Sequence, residues 1–178
     1  MRLEKQNHLT IVLFVVYMLL LISIILFKLP FYSAELSDGI RVINLIPLQG
    51  SFDASGVIVF REIRDNILIF IPFGIYLCLL KNEWRFVRKA FAVIALSLTF
   101  EVLQFIFALG RTDVTDILSN SLGGIIGIAV YATLVKIFKS RTNKIVTAVG
   151  LIATIYVAAR FAHLFYLNHF VMRQLPPR

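Results

Sequence analysis

Most of the groups able to do chemistry lie in one stretch, Phe100–Gly127, which reads FEVLQFIFALGRTDVTDILSNSLGGIIG. Glu101 stands inside an apolar run, Gln104 follows one helical turn later, and Arg111, Asp113 and Asp116 crowd the polar turn beyond. Asn120, Gly123, Gly124 and Gly127 sit in the next apolar run. A charge at membrane depth costs about 2.5–3.5 kcal/mol on insertion scales, so Glu101 needs a role that offsets it. A carboxyl there can act as general acid or base, with the Arg111 guanidinium steadying a phosphate or oxyanion. It can equally be a neutral carboxyl, paired with Gln104, that specifies how helices pack. Asp113 and Asp116 carry the same double reading: candidate catalytic carboxylates, or caps for the free N–H groups of a helix start. Three carboxylates and an asparagine are fit donors for a divalent cation. Their spacing matches no recognised metal loop, however, and neither metal nor cofactor is expected. No serine-hydrolase signature surrounds Ser97, Thr99, Ser119 or Ser121, and no glycine-rich phosphate loop precedes a helix.

Composition puts these groups in a bilayer. The chain has 178 residues, 59% hydrophobic and 16% charged, with a mean hydropathy of +0.86. A soluble domain is nearer half apolar and a quarter charged. The apolar residues also fall in runs of membrane-spanning length, so an integral membrane protein is expected, as a single domain over residues 1–178 without internal repeats. The net charge of +8 invites a nucleic-acid partner, but the positions of the charges argue against one. Arg2 and Lys5, then Lys81, Arg85, Arg88 and Lys89, then Lys136, Lys139, Arg141 and Lys144 occupy alternate loops of a five-helix chain. That is the bias of loops retained in the cytoplasm, where anionic lipid is the natural contact. The one cysteine, Cys78, precludes an internal disulfide and reads as a small packing residue.

The expected fold is therefore all-α: an integral membrane bundle of about five transmembrane helices. Leu9–Leu29 forms the first span, with a cytoplasmic N-terminus and no cleavage signature after it. Ser33–Asp65 lies outside, with turn formers at Pro47, Gly50, Asp53 and Gly56 and an amphipathic lead-in from Val57. Asn66–Leu80 is a short second span, either kinked at Pro72 and using part of that lead-in or re-entrant, and the basic loop after it favours the full span. Ala90–Leu109 returns outward, Gly110–Asp116 makes a seven-residue outer turn, Ile117 to about Phe138 forms the fourth span, and Ile145–Leu167 the fifth. A short extracellular tail ends at Arg178. In this arrangement Glu101, Gln104, Arg111, Asn66 and Asn120 gather on the outer side. Arg160 and His163 fall in the outer half of the fifth span. The expectation is a polar pocket open to the outer leaflet. The small-xxx-small spacing of the glycines lets two helices approach closely.

Three pieces carry a resemblance: NLIPL (Asn44–Leu48), REIRDNILIFIPFG (Arg61–Gly74) and LTFEVLQFIFALGRTDVTDILSNSLGGIIG (Leu98–Gly127). In order, spacing and the combination E-x-x-Q, R-x-D-x-x-D and N-x-x-G-G, they resemble the VanZ-like family, with a recognisable core over residues 44–131. Leu48 stands where that family usually has Phe, and the first and fifth spans add nothing beyond being apolar. The resemblance implies a bacterial multi-pass membrane protein giving low-level resistance to teicoplanin-type lipoglycopeptides without remodelling peptidoglycan precursors. Carried over by position, it points to Asn44, Pro47, Asp65, Asn66, Pro72, Gly74, Glu101, Gln104, Arg111, Asp113, Asp116, Asn120, Gly123 and Gly124, nearly all of them already singled out.

Three functions fit. The first is a resistance factor whose pocket, lined by Asn44, Asp65, Asn66, Gln104, Asn120, Arg160 and His163, binds a lipid headgroup, a lipid-linked wall precursor or the drug. The second is a membrane enzyme modifying such a lipid, with Glu101 as general acid or base beside Arg111, Asp113 and Asp116. The third is an assembly partner whose polar turn only holds helices together.

Overall fold

Apolar side chains recur around every face of the long runs, and in a bilayer such runs must satisfy their own backbone, which a helix does. The computed structural model describes residues 2–27, 42–49, 52, 60–109 and 111–166. The helices are α1 (Arg2–Phe27), α2 (Phe60–Leu80), α3 (Phe86–Ile106), α4 (Val114–Phe138) and α5 (Thr142–Tyr166). Among the described residues, four helical stretches are long and apolar enough to cross a membrane: His8–Leu26, Phe60–Leu80, Phe86–Ile106 and Val114–Arg160. The last of these joins α4 to α5 through a tight turn at Lys139–Arg141, where Lys139 takes φ 50°.

Paired contacts give the helix directions. Ile67 meets Gly123 and Ile71 meets Gly127, so residue numbers rise together and α2 runs parallel to α4. Val93 meets Gly124 and Ser97 meets Asn120, so α3 runs antiparallel to α4. Tyr17 donates its hydroxyl to the Ile69 carbonyl (2.7 Å) while Phe14 stacks on Phe73, which sets α1 antiparallel to α2. Thr10 bonds Thr147 and Leu13 lies by Gly150, so α5 runs with α1. Directions thus alternate along the chain. The two basic turns share one end of the bundle, where Lys81 and Arg88 both lie over Trp84. The polar stretch of α3 and the start of α4 occupy the other end.

The centre is the α2–α4 seam. A Cβ at Gly74 would strike the carbonyl of Gly124, one at Gly123 that of Ile67, and one at Gly127 that of Ile71. Only glycine lets these two backbones come so close. Around the seam pack Leu21, Phe70, Phe73, Val93 and Phe100, with Phe70 edge-on to Phe100.

Two expectations need correction. The second span is not a short helix from Asn66. It is one helix of 21 residues with Pro72 inside it, because the charged lead-in from Phe60 joins it. In that charged turn Asp65 pairs with Arg64 (2.8 Å) and, more loosely, with Arg61 one turn before it (4.0 Å). Nor is the chain purely helical. Val42–Asn44 (β1) pairs in parallel with Arg111–Asp113 (β2), matching Asn44 to Asp113. Pairing of three-residue strands across so long a stretch leaves no periodicity to read. The proposed turn formers Gly50, Asp53 and Gly56, and the C-terminal tail, lie outside the described residues.

Candidate functional site

Asp113 is the hub of the polar end. It is the N-cap of α4, its Oδ1 accepting the Thr115 N–H at 2.8 Å. Its Oδ2 accepts from Asn44 Nδ2 at 2.8 Å, and its own N–H donates to Glu101 Oε2 at 2.9 Å. One residue therefore ties β1, α3 and α4 together. Glu101 is only 2% exposed, in the penultimate turn of α3, about 7 Å below its end at 1.5 Å per residue. Thr112 Oγ1 donates to the Glu101 carbonyl at 3.3 Å, which folds β2 back along the helix.

Beside this hub, Asn66 donates Nδ2 to Asp116 Oδ1 (2.8 Å) and so ties α2 to α4. Thr115 Oγ1 accepts the Leu48 N–H at 2.9 Å, holding the loop after β1 against the start of α4. Asn120, 2% exposed, donates to Ser97 Oγ at 3.1 Å. Gln104, 5% exposed, donates to the Ile25 carbonyl of α1 at 3.1 Å and so is not Glu101's partner through that group. Three buried polar atoms remain without a hydrogen-bond partner among the described residues: the amide oxygens Gln104 Oε1 and Asn120 Oδ1, and the hydroxyl Ser121 Oγ. Buried polar atoms are rarely left so.

The structure gathers Asn44, Asn66, Glu101, Gln104, Asp113, Asp116 and Asn120 at this end. Arg111 does not continue the α3 face. The helix stops at Ile106, and the Arg111 backbone pairs with Val42 in β2, while its side chain lies outside the described residues. Asn66 and Asn120 stand in the second turns of α2 and α4, deeper than expected, because both helices start earlier. Asp65 is engaged by Arg64 on the outer face of α2. Arg160 and His163 are exposed on α5, and no described hydrogen bond or salt bridge joins them to the cluster. The partners that sequence reasoning passed over are Ser97 and Thr115. Ser97 lies four residues before Glu101, on the same face, which was the available signal. Among the described residues no group of three His, Cys, Asp or Glu side chains could hold a metal ion.

The VanZ/LLP1 family model matches residues 14–139. The chain belongs to the VanZ/LLP1 family. It is 37% identical over 154 residues to Protein VanZ of Enterococcus faecium, an alignment covering 85% of this chain and 92% of that protein. No solved structure matches the chain. The VanZ/LLP1 match takes in every residue of the cluster and stops short of α5, so Arg160 and His163 fall beyond it.

Proposed function

We propose that this chain is a bacterial membrane protein that lowers susceptibility to teicoplanin-type lipoglycopeptides by binding a polar group at the outer side of the membrane. It crosses five times, with α2 bent at Pro72, the N-terminus in the cytoplasm and the C-terminus outside. The end bearing Lys81, Arg85, Arg88, Lys89, Lys136, Lys139, Arg141 and Lys144 faces the cytoplasm, and the Asp113 cluster faces outward. Family membership supports the resistance role, and the alternating helix directions support the crossings.

The observation that carries the binding reading is the set of unmatched polar atoms, two of them amide oxygens that can only accept. Gln104 stands on α3 one turn from Glu101, Asn120 bonds Ser97 of the same helix, and Ser121 is the next residue of α4. Acceptors in such a setting call for a ligand rich in donors. The hydroxyls, amides or ammonium of a lipid headgroup, a lipid-linked wall precursor or the drug itself all qualify. The enzyme alternative asks more of Glu101, whose Oε2 is engaged by the Asp113 N–H; proton transfer at that oxygen would compete with the bond.

The test is a comparison of cells with and without the protein, measuring teicoplanin susceptibility together with the lipid and wall-precursor profile. Resistance with unchanged lipid and precursor chemistry is the expected result. A new headgroup or precursor species would replace binding with catalysis, with Glu101 as its acid or base.

A further inference from the structure

The segment after β1 has its polarity inside out. Asn44 is buried against Asp113, whereas Ile43 is 53% exposed, Leu45 75% and Ile46 60%, with Leu48 exposed beside them. A loop in water shows the opposite pattern.

Three of its backbone N–H groups are paired within the protein. The Ile46 N–H donates to Asn44 Oδ1 (3.2 Å), the Leu48 N–H to Thr115 Oγ1 (2.9 Å) and the Gln49 N–H to the Ile46 carbonyl (3.2 Å). Pro47 has no N–H to satisfy. An Asx turn, a β-turn and a side-chain acceptor on α4 supply these bonds, so these N–H groups do not need water.

The hydrogen bonds also fix the depth of the segment. Leu48 is tied to the first turn of α4, and Asn66 ties that same turn to α2. Asn44 is tied to Asp113, whose N–H reaches Glu101 five residues inside the end of α3, so the segment lies about 7 Å below that helix end. Phe107, in the turn that folds back along α3, is likewise exposed and apolar.

We propose that Ile43–Gln49 is a re-entrant wedge whose Ile43, Leu45, Ile46 and Leu48 side chains lie among the acyl chains of the outer leaflet. Asn44 and the paired backbone face inward to the Asp113 hub. The wedge thereby joins the polar site directly to lipid, so a lipid-anchored ligand can reach it sideways. The choice of leaflet rests on the orientation proposed above, but the burial in lipid does not.

Trp84 is the only tryptophan, so Leu45→Trp and Ile46→Trp can each be made in a Trp84→Phe background. The full chain goes into phosphatidylcholine–phosphatidylglycerol vesicles, with or without bromines on the acyl chains of both leaflets. Both tryptophans should emit as in an apolar medium, lose about half their emission to brominated lipid, and resist aqueous iodide. Quenching by iodide and not by bromine would place the loop in water. Resistance to both quenchers would mean that protein covers it. Either result overturns the wedge. Because the bromines are in both leaflets, an inverted topology leaves this reading intact and is detected separately by surface labelling.

Discussion

Asp113 uses both carboxylate oxygens and its N–H on three different elements. An amide has only one oxygen to offer. Asp113→Asn must therefore surrender either the cap on Thr115 or the bond from Asn44, although asparagine is as good a cap as aspartate. The loss should be about 1–3 kcal/mol, read as lower thermal stability in detergent. Asp116→Asn should be milder, since Asp116 Oδ1 accepts from Asn66 and an amide oxygen can do the same. Equal stability of the two variants would show that Asp113 is not the hub. The sequence exposed this cluster well because Glu101, Gln104 and Asn120 are polar where polarity is expensive. It could not apportion the bonds. Gln104 reaches the Ile25 carbonyl of α1, 79 residues away, and no spacing announces such a contact.

Among the elements, the α2–α4 seam is the tightest. Alanine at Gly123 or Gly127 would drive a methyl into the carbonyl of Ile67 or Ile71, and a helix backbone has little freedom to yield. At Gly124 the obstacle is the Val93 side chain, which can shift by repacking. Gly123→Ala and Gly127→Ala should therefore each cost about 1–3 kcal/mol of stability, and Gly124→Ala less, in thermal melts of purified protein. The reverse order would mean that the seam can slide. Gly74 completes the seam, since a Cβ there would meet Gly124. The small-residue spacing was legible as a close approach of helices, but its partner was not: nothing in the sequence said that α2, with Pro72 inside it, lies against α4. The reach of α2 was left open because Arg61, Glu62, Arg64 and Asp65 resemble a solvated lead-in, whereas the helix takes them in as its first turns.

Taken as a whole, the molecule is polarised: cationic turns at one end, an acid–amide cluster at the other. That polarity was readable, because charge placement follows membrane topology rather than packing. In a Cys78→Ala background, Glu62→Cys at the polar end should react with an impermeant thiol reagent on intact cells, and Glu83→Cys in the α2–α3 turn should not. Reaction at Glu83→Cys alone would invert the orientation and move the site to the cytoplasmic leaflet. The central claim, that the Glu101 cluster acts on a ligand rather than only holding helices, is tested most directly by Glu101→Gln. Glutamine keeps an oxygen to accept the Asp113 N–H, at 2.9 Å in the parent, and costs less to bury than a carboxylate. Packing should survive the swap, while the negative charge and the ionisable proton are lost. The measurement is teicoplanin susceptibility at matched membrane abundance. The account predicts that Glu101→Gln protein accumulates normally and that most of its protection is gone; full protection at parental abundance would contradict it.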